Sequence, residues 1–211
     1  METYDLNEKQ LAILGVAETL FAEKGFEAAS VREIAKEAGV NLAMINYYFG
    51  SKEKLLESLF LYKTTTFRLS LEVIAKNEKL TSREKLIVLA TSYIDRVFSN
   101  SNFHKIMIKS SDTESPALFD TITKMKLKNR DVIHRIIQDG IDQKEFSPSL
   151  TAEKVMSVVF GVICYVQLNK RYYAAIWDFD ESDEGQKALK KKVTEHIVFT
   201  IKAILNYNEN E

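Results

Sequence analysis

An all-α protein is the fold class the sequence predicts: an N-terminal three-helix, helix-turn-helix head joined to a C-terminal helical bundle that dimerises. Three observations carry this. The 211 residues include only seven glycines and two prolines, with 45% hydrophobic and 28% charged residues, which is the profile of a packed helical chain. Apolar residues recur at intervals of three and four along almost the whole length. A short corner at Gly39-Val40-Asn41 interrupts one helical stretch between two sets of capping residues.

Asn7 with Gln10 caps a first helix, whose Leu11, Leu14, Ala17, Leu20 and Phe21 recur at helical spacing and which ends at Gly25. Phe26 fixes the turn into Ser30, and Ser30 with Glu33 makes a capping box that opens the second helix. In the stretch VREIAKEAGVNLAMINYYF, from Val31 to Phe49, small Ala35 falls fifth, Gly39 ninth and apolar Ile45 fifteenth, with Ile34, Ala38 and Val40 filling the other inward places. That is the spacing of two helices crossing closely at a tight corner. Ala35 is small enough for the crossing, and Gly39 supplies the positive φ that commonly ends a helix. Asn41 is placed to cap the third helix by accepting from a free amide of its first turn. An ordinary helical hairpin would share this corner. The outward residues of the third helix (Leu42, Ala43, Asn46 and Tyr47) favour a DNA-reading surface, because a solvated helix normally carries Glu and Lys there.

Gly50-Ser51 opens a long helix through Leu55, Leu56, Leu59, Phe60, Phe67, Leu71 and Ile74, with Lys52 at its start as a phosphate anchor; a polar break follows from Lys76 to Leu80. Thr81 with Glu84 is a second capping box, leading through Leu86, Leu89, Tyr93 and Val97. A short helix is expected from Phe103 to Ile108. Ser115-Pro116 restarts a helix that runs to about Gly140, and Phe146-Ser147-Pro148 closes that connection. The domain division expected is a DNA-binding head at 1–50 and a helical dimerisation domain at 51–211, to which the family resemblance described below adds ligand binding.

From Val155 to Val166 the apolar residues cover most of the helix circumference, so one buried face cannot account for them. The run is too short to span a bilayer. With the stripe Val193, Ile197, Ile201 and Ile204 of the last helix, it fits a two-fold four-helix interface, to which Val155, Val158, Val159, Val162 and Val166 are assigned. A wholly intramolecular core is the other reading of the same residues.

The formal net charge is −1, and Met1–Phe60 carries six Lys/Arg against ten Asp/Glu, a net of −4. This argues against a large nonspecific grip on nucleic acid. It leaves room for specific binding, since helix N-termini, hydroxyls and amides also hold phosphates. The single Cys164 excludes a disulfide framework and a cysteine-rich zinc finger, and His104, His134 and His196 are too scattered for a metal site. No cofactor motif is present. Without a signal peptide or a membrane-length apolar run, the expected location is the cytoplasm. No glycine-rich phosphate loop, His-Glu-x-x-His or nucleophile motif supports an enzyme.

The run LFAEKGFEAASVREIAKEAGV, from Leu20 to Val40, and INYYFGSKEKLL, from Ile45 to Leu56, resemble the TetR (tetracycline-repressor-like) family of transcriptional regulators. The Leu-Phe-Ala-Glu-x-Gly-aromatic approach, the Ile-Ala-x-x-Ala-Gly-Val turn and the Tyr-x-Phe-x-x-Lys exit occur together and in order. They cover about the first quarter of the chain. Beyond them the resemblance rests on length, helical layout and the connection GIDQKEFSPSLTAEKV.

The resemblance implies a homodimer that reads a palindromic double-stranded operator, usually as a repressor, and is released by a small-molecule effector. It would place Ser30 and Arg32 against phosphate. Leu42, Ala43, Met44, Asn46 and Tyr47 would lie toward the major groove, Tyr48 and Lys52 on backbone phosphates, and Ile45 and Phe49 in the core. Three departures stand out: Asn41 stands where the family often has Ser, Asn46 where it often has Tyr, and the acidic Met1–Glu8 lacks the basic arm of some members. Candidate effector-lining residues are Tyr93, Phe98, Phe103, Met107, Tyr165 and Trp177, each of which also fits plain core packing. A helical dimer that senses a small molecule without binding DNA is the alternative that the acidic head keeps open.

Overall fold

The computed structural model describes residues 6–110 and 116–206. Among these there are ten helices and no strand: α1 (Glu8–Lys24), α2 (Val31–Glu37), α3 (Leu42–Phe49), α4 (Lys52–Ala75), α5 (Ser82–Ser99), α6 (Ser101–Lys109), α7 (Pro116–Asp142), α8 (Ala152–Leu168), α9 (Lys170–Trp177) and α10 (Asp183–Asn206). The Ser/Asp/Thr loop and Ser115 lie outside the described residues, as does most of the acidic N-terminal arm. No helix among the described residues is long and apolar enough to cross a membrane.

The chain forms two compact units, one of residues 1–69 and 100–127, the other of 70–99 and 128–211. The first therefore holds α1 to α3 together with the opening part of α4, all of α6 and the start of α7. The expected division falls at residue 50, whereas the packing draws the α4 and α6 segments in with the first three helices.

In the first unit α1 packs on α2 and α6, and α2 on α3. The caps are local and match their residues. Asn7 and Gln10 hydrogen-bond reciprocally, the Gln10 amide donating to Asn7 Oδ1 at 2.9 Å and the Asn7 amide to Gln10 Oε1 at 3.0 Å. Ile13, Leu14, Ala17, Leu20 and Phe21 of α1 meet Ile34, Ala35, Ile45, Phe49, Leu55, Leu56, Leu59 and Phe60 in one buried cluster. Phe103 and Met107 of α6 join this same cluster, with the Phe103 ring 5.3 Å from Phe60. They are head-core residues, so two of the six effector-lining candidates have a structural role here.

Three polar side chains are set into that core. Glu18 is 7% exposed on the inward stripe of α1, and Lys63 of α4 donates to its Oε2 at 2.6 Å. The Asn100 amide, oriented to satisfy both neighbours, donates to Glu18 Oε1 at 2.6 Å and accepts from Lys63 Nζ at 2.7 Å. A paired and hydrogen-bonded carboxylate is the form in which a charge tolerates such burial.

In the second unit α10 packs on α5 and α8, and α9 on α8. The Thr81–Glu84 box is reciprocal, with the Thr81 amide donating to Glu84 Oε2 at 2.9 Å and the Glu84 amide to Thr81 Oγ1 at 3.2 Å. The stripe of α10 faces inward: Leu189, Val193, Ile197, Ile201 and Leu205 are all buried, as are Val155, Val159, Ile163 and Val166 of α8. This corrects the assignment of Val155, Val159, Val166, Val193, Ile197 and Ile201 to an interface, because their own chain already covers them. Val158, Val162 and Ile204 are half-buried. Exposed apolar side chains stand elsewhere, at Tyr165 and Leu168 of α8, Tyr172 and Ile176 of α9, and Phe199 of α10, the last 74% exposed.

α9 was not anticipated as a separate helix. Asn169 alone divides it from α8, and Asp178, at φ 51°, ends it in the left-handed region. Its Tyr173 gathers Tyr165, at 6.1 Å between ring centroids, and Trp177, at 4.5 Å. Tyr93 is buried 4.8 Å from Phe160, and Phe98 is half-buried. Of the six effector-lining candidates, Phe103 and Met107 belong to the first unit and the other four to the second. A cleft of about 460 Å³ in this unit has none of them on its walls; it is lined by Glu72, Ala75, Lys76, His134, Arg135, Ile136, Gln138 and Asp139.

Gly140 is required by close approach. A Cβ there would stand 2.2 Å from the buried Phe146 ring and 2.9 Å from Ser82 Cβ on its other side. Overpacking a site with no room costs about 1–3 kcal/mol. Gly140→Ala should lower the denaturant midpoint accordingly at an unchanged m-value, and an unchanged midpoint would contradict this close packing.

Candidate DNA-reading head

The corner between α2 and α3 is specified residue by residue. Ser30 Oγ accepts from the Glu33 amide at 3.1 Å, opening α2. The expected box is only half made, because the Glu33 carboxylate turns instead to Lys24. That hydrogen bond, more than any other contact, raises the Lys24 pKa above its ordinary value. Gly39 stands at φ +66°, and the Val40 amide donates to the Ala35 carbonyl at 3.0 Å, which folds the chain back over the small residue at the crossing. Asn41 Oδ1 then accepts from the Met44 amide at 2.8 Å, so α3 begins where its cap dictates.

α3 is held from one side only. Ile45 is 1% exposed and Phe49 6%, both in the head core. The opposite face presents Ala43, Asn46 and Tyr47 to solvent, with Tyr47 84% exposed. Leu42, Met44 and Tyr48 are half-buried at the margins. Tyr48 is braced by edge contacts to Tyr47 at 5.3 Å and Phe49 at 6.3 Å. α3 contains no acidic and no basic side chain. Of the residues expected to touch phosphate, Ser30 and Arg32 are exposed at the start of α2.

Lys52, expected on a backbone phosphate, here faces its own chain. Its Nζ donates to the carbonyl oxygens of Phe26 at 2.9 Å, Glu27 at 3.2 Å and Ala29 at 3.4 Å, and lies 4.4 Å from the centroid of the Phe26 ring. Beside it, the Ser51 hydroxyl accepts from the Lys54 amide at 3.2 Å to cap α4, and its hydrogen bond to Glu53 holds that carboxyl below the usual range.

A compact head whose second and third helices meet at a glycine corner, with an uncharged exposed face on the third, has counterparts among known proteins. The model of bacterial regulatory proteins of the tetR family matches residues 13–59, the segment that holds α2, α3 and the opening of α4. Over that segment the chain matches the TetR family. It is similar to a probable helix-turn-helix transcriptional regulator of Bacillus subtilis, YttP, with 30% identity over 64% of this chain and 65% of that one, just under two thirds of its length. It is also similar to the fatty acid metabolism regulator protein of B. subtilis, at 29% identity over 74% and 79% of the two chains. The solved structure of the transcriptional regulator FadR from B. subtilis, in complex with stearoyl-CoA, superposes with a TM-score of 0.71 at 26% identity, covering 89% of this chain and 97% of that one. Both curated relatives are named as regulators.

Sequence reasoning missed the Glu18–Lys63–Asn100 group in the head core. A signal was available, because Glu18 lies on the stripe of Leu14, Ala17 and Phe21, where a carboxylate must be paired.

Proposed function

We propose that this chain is a homodimeric TetR-family repressor that reads a palindromic operator with α3 and is released by a small-molecule effector. The observation that carries the reading is the face of α3. A tyrosine 84% exposed, beside an exposed Asn46 and Ala43 on a helix without charges, contributes little to folding. An amide, a phenol and small apolar groups are what base edges of the major groove recognise. Ser30 and Arg32 stand where the start of α2 would meet phosphate, and the shared fold supports two heads presented by one dimer. The exposed Tyr165 and Leu168 of α8 and Phe199 of α10, with half-buried Val158 and Val162 beside them on α8, make the pairing surface that fits this fold.

The experiment is selection of bound duplexes from a random DNA pool at moderate salt without added effector. Enrichment of a palindrome with half-sites about a helical turn or more apart supports the dimeric reader. A well-folded dimer that enriches nothing supports instead a sensor that does not bind DNA, the reading favoured by the head's net charge of −4.

The effector class we propose is a long-chain acyl-CoA, on the strength of the fatty acid metabolism regulator and the stearoyl-CoA complex among the relatives. A ligand releases DNA only by binding the released arrangement more tightly. Micromolar stearoyl-CoA is expected to weaken operator binding at least tenfold, whereas CoA alone leaves it unchanged. Equal effects of the two, or none, would remove the acyl chain from the recognition.

A further inference from the structure

We infer that Lys52 is a positioning residue for DNA reading, locking the α1–α2 corner to the start of α4, and not a phosphate contact; this rests on the DNA-binding reading above. A lysine ammonium has three N–H donors. Here three carbonyls of one corner, those of Phe26, Glu27 and Ala29, converge on it within 3.4 Å, and the Phe26 ring covers another side at 4.4 Å. No donor is left over for a phosphate. Phe26 is itself fixed, its ring 5.5 Å from that of buried Phe21, so the ammonium ties α4 to a corner anchored in the head core.

The corner matters because of what it carries. It runs from Gly25 directly into Ser30, the cap that orients the first turn of α2 with Arg32. On its other side Lys52 follows Gly50, at φ +80°, which ends α3. A single side chain therefore links the start of the phosphate-facing helix to the end of the base-reading helix. Losing it lets one shift against the other, which blurs base discrimination before it abolishes binding.

The test compares the wild-type protein with Lys52→Met, which keeps the apolar stem over Phe26, and Lys52→Arg, which keeps the charge. Affinities for the selected operator and a scrambled duplex are measured across a salt series. We expect Lys52→Met to lower the operator-to-scrambled ratio roughly tenfold, the scale of one impaired base contact. The slope of log affinity against log salt should remain unchanged. Global destabilisation would weaken both duplexes alike and leave the ratio where it was. Loss of a phosphate contact would flatten the slope by about 0.9 per protomer, and that flattening at an unchanged ratio overturns the proposal.

Lys52→Arg sharpens the distinction. A planar guanidinium cannot aim its donors at three carbonyls converging on one point, yet it serves a phosphate well. The proposal expects it to share the reduced ratio, and full rescue by arginine contradicts it. Amide hydrogen exchange provides an arm independent of DNA: Glu27 to Ser30 should exchange faster in Lys52→Met while the amides of α1 keep their protection. Unchanged exchange at the corner refutes the lock even if no operator is found. A wild-type protein that selects no DNA refutes the DNA-binding reading and leaves the exchange result to stand alone.

Discussion

Replacing Lys63 by methionine is expected to destabilise the protein by about 3 kcal/mol or more. Glu18 is 7% exposed among Leu14, Ala17 and Phe21, and its carboxylate is held by Lys63 Nζ at 2.6 Å and by the Asn100 amide at 2.6 Å. Methionine fills nearly the same volume but leaves a buried charge with a single amide for company. Desolvation of that charge, not loss of the ion pair's own attraction, is the larger effect. It follows that Glu18→Met in the same chain should return most of the lost stability, since a buried pair replaced by apolar residues of similar volume is often neutral or stabilising. Equilibrium denaturation of the two single variants and the double variant measures this directly. A double variant as unstable as the two singles combined would show that the three groups are not one unit. Because the group joins α1 to α4 and to the start of α6, its second role is register: it permits one alignment of these helices where an apolar contact would tolerate several.

What the sequence made legible was whatever its neighbours alone determine. The Asn7–Gln10 and Thr81–Glu84 boxes, the Ser30 and Asn41 caps and the Gly39 corner each depend on residues at most a few positions apart, and all appear where the spacing put them. The face of α3 was legible for the same reason. What failed to show is what lies across a long loop in sequence. Periodicity says that Val193, Ile197 and Ile201 are covered but not by what, and the cover is α5 and α8 of the same chain rather than a second copy. Aromatic spacing marked Phe103 and Met107 without revealing that they complete the head core. Lys52 was read from its charge and its position, while its partners are carbonyls more than twenty residues upstream, which no pattern of side chains announces.

The double substitution Asn46→Ala and Tyr47→Ala should reduce discrimination between the operator and a scrambled duplex by about a hundredfold, with the melting transition shifted by less than the equivalent of about 1 kcal/mol. Both side chains are exposed on α3, and neither belongs to the head core, so folding has little to lose. An amide that pairs with a base edge and a phenol that contacts one are each worth about 1–3 kcal/mol of discrimination, which supplies the hundredfold. The salt dependence should stay as it was, because no charge is removed. Ile45→Ala gives the opposite signature from the same helix: at 1% exposure its truncation opens a cavity, and about 2–5 kcal/mol of stability goes with it. The two variants therefore separate reading from folding within eight residues of chain. If the Asn46/Tyr47 variant selected the same site with the same preference, α3 would not be the reader. The exposed tyrosine would then need a partner other than DNA.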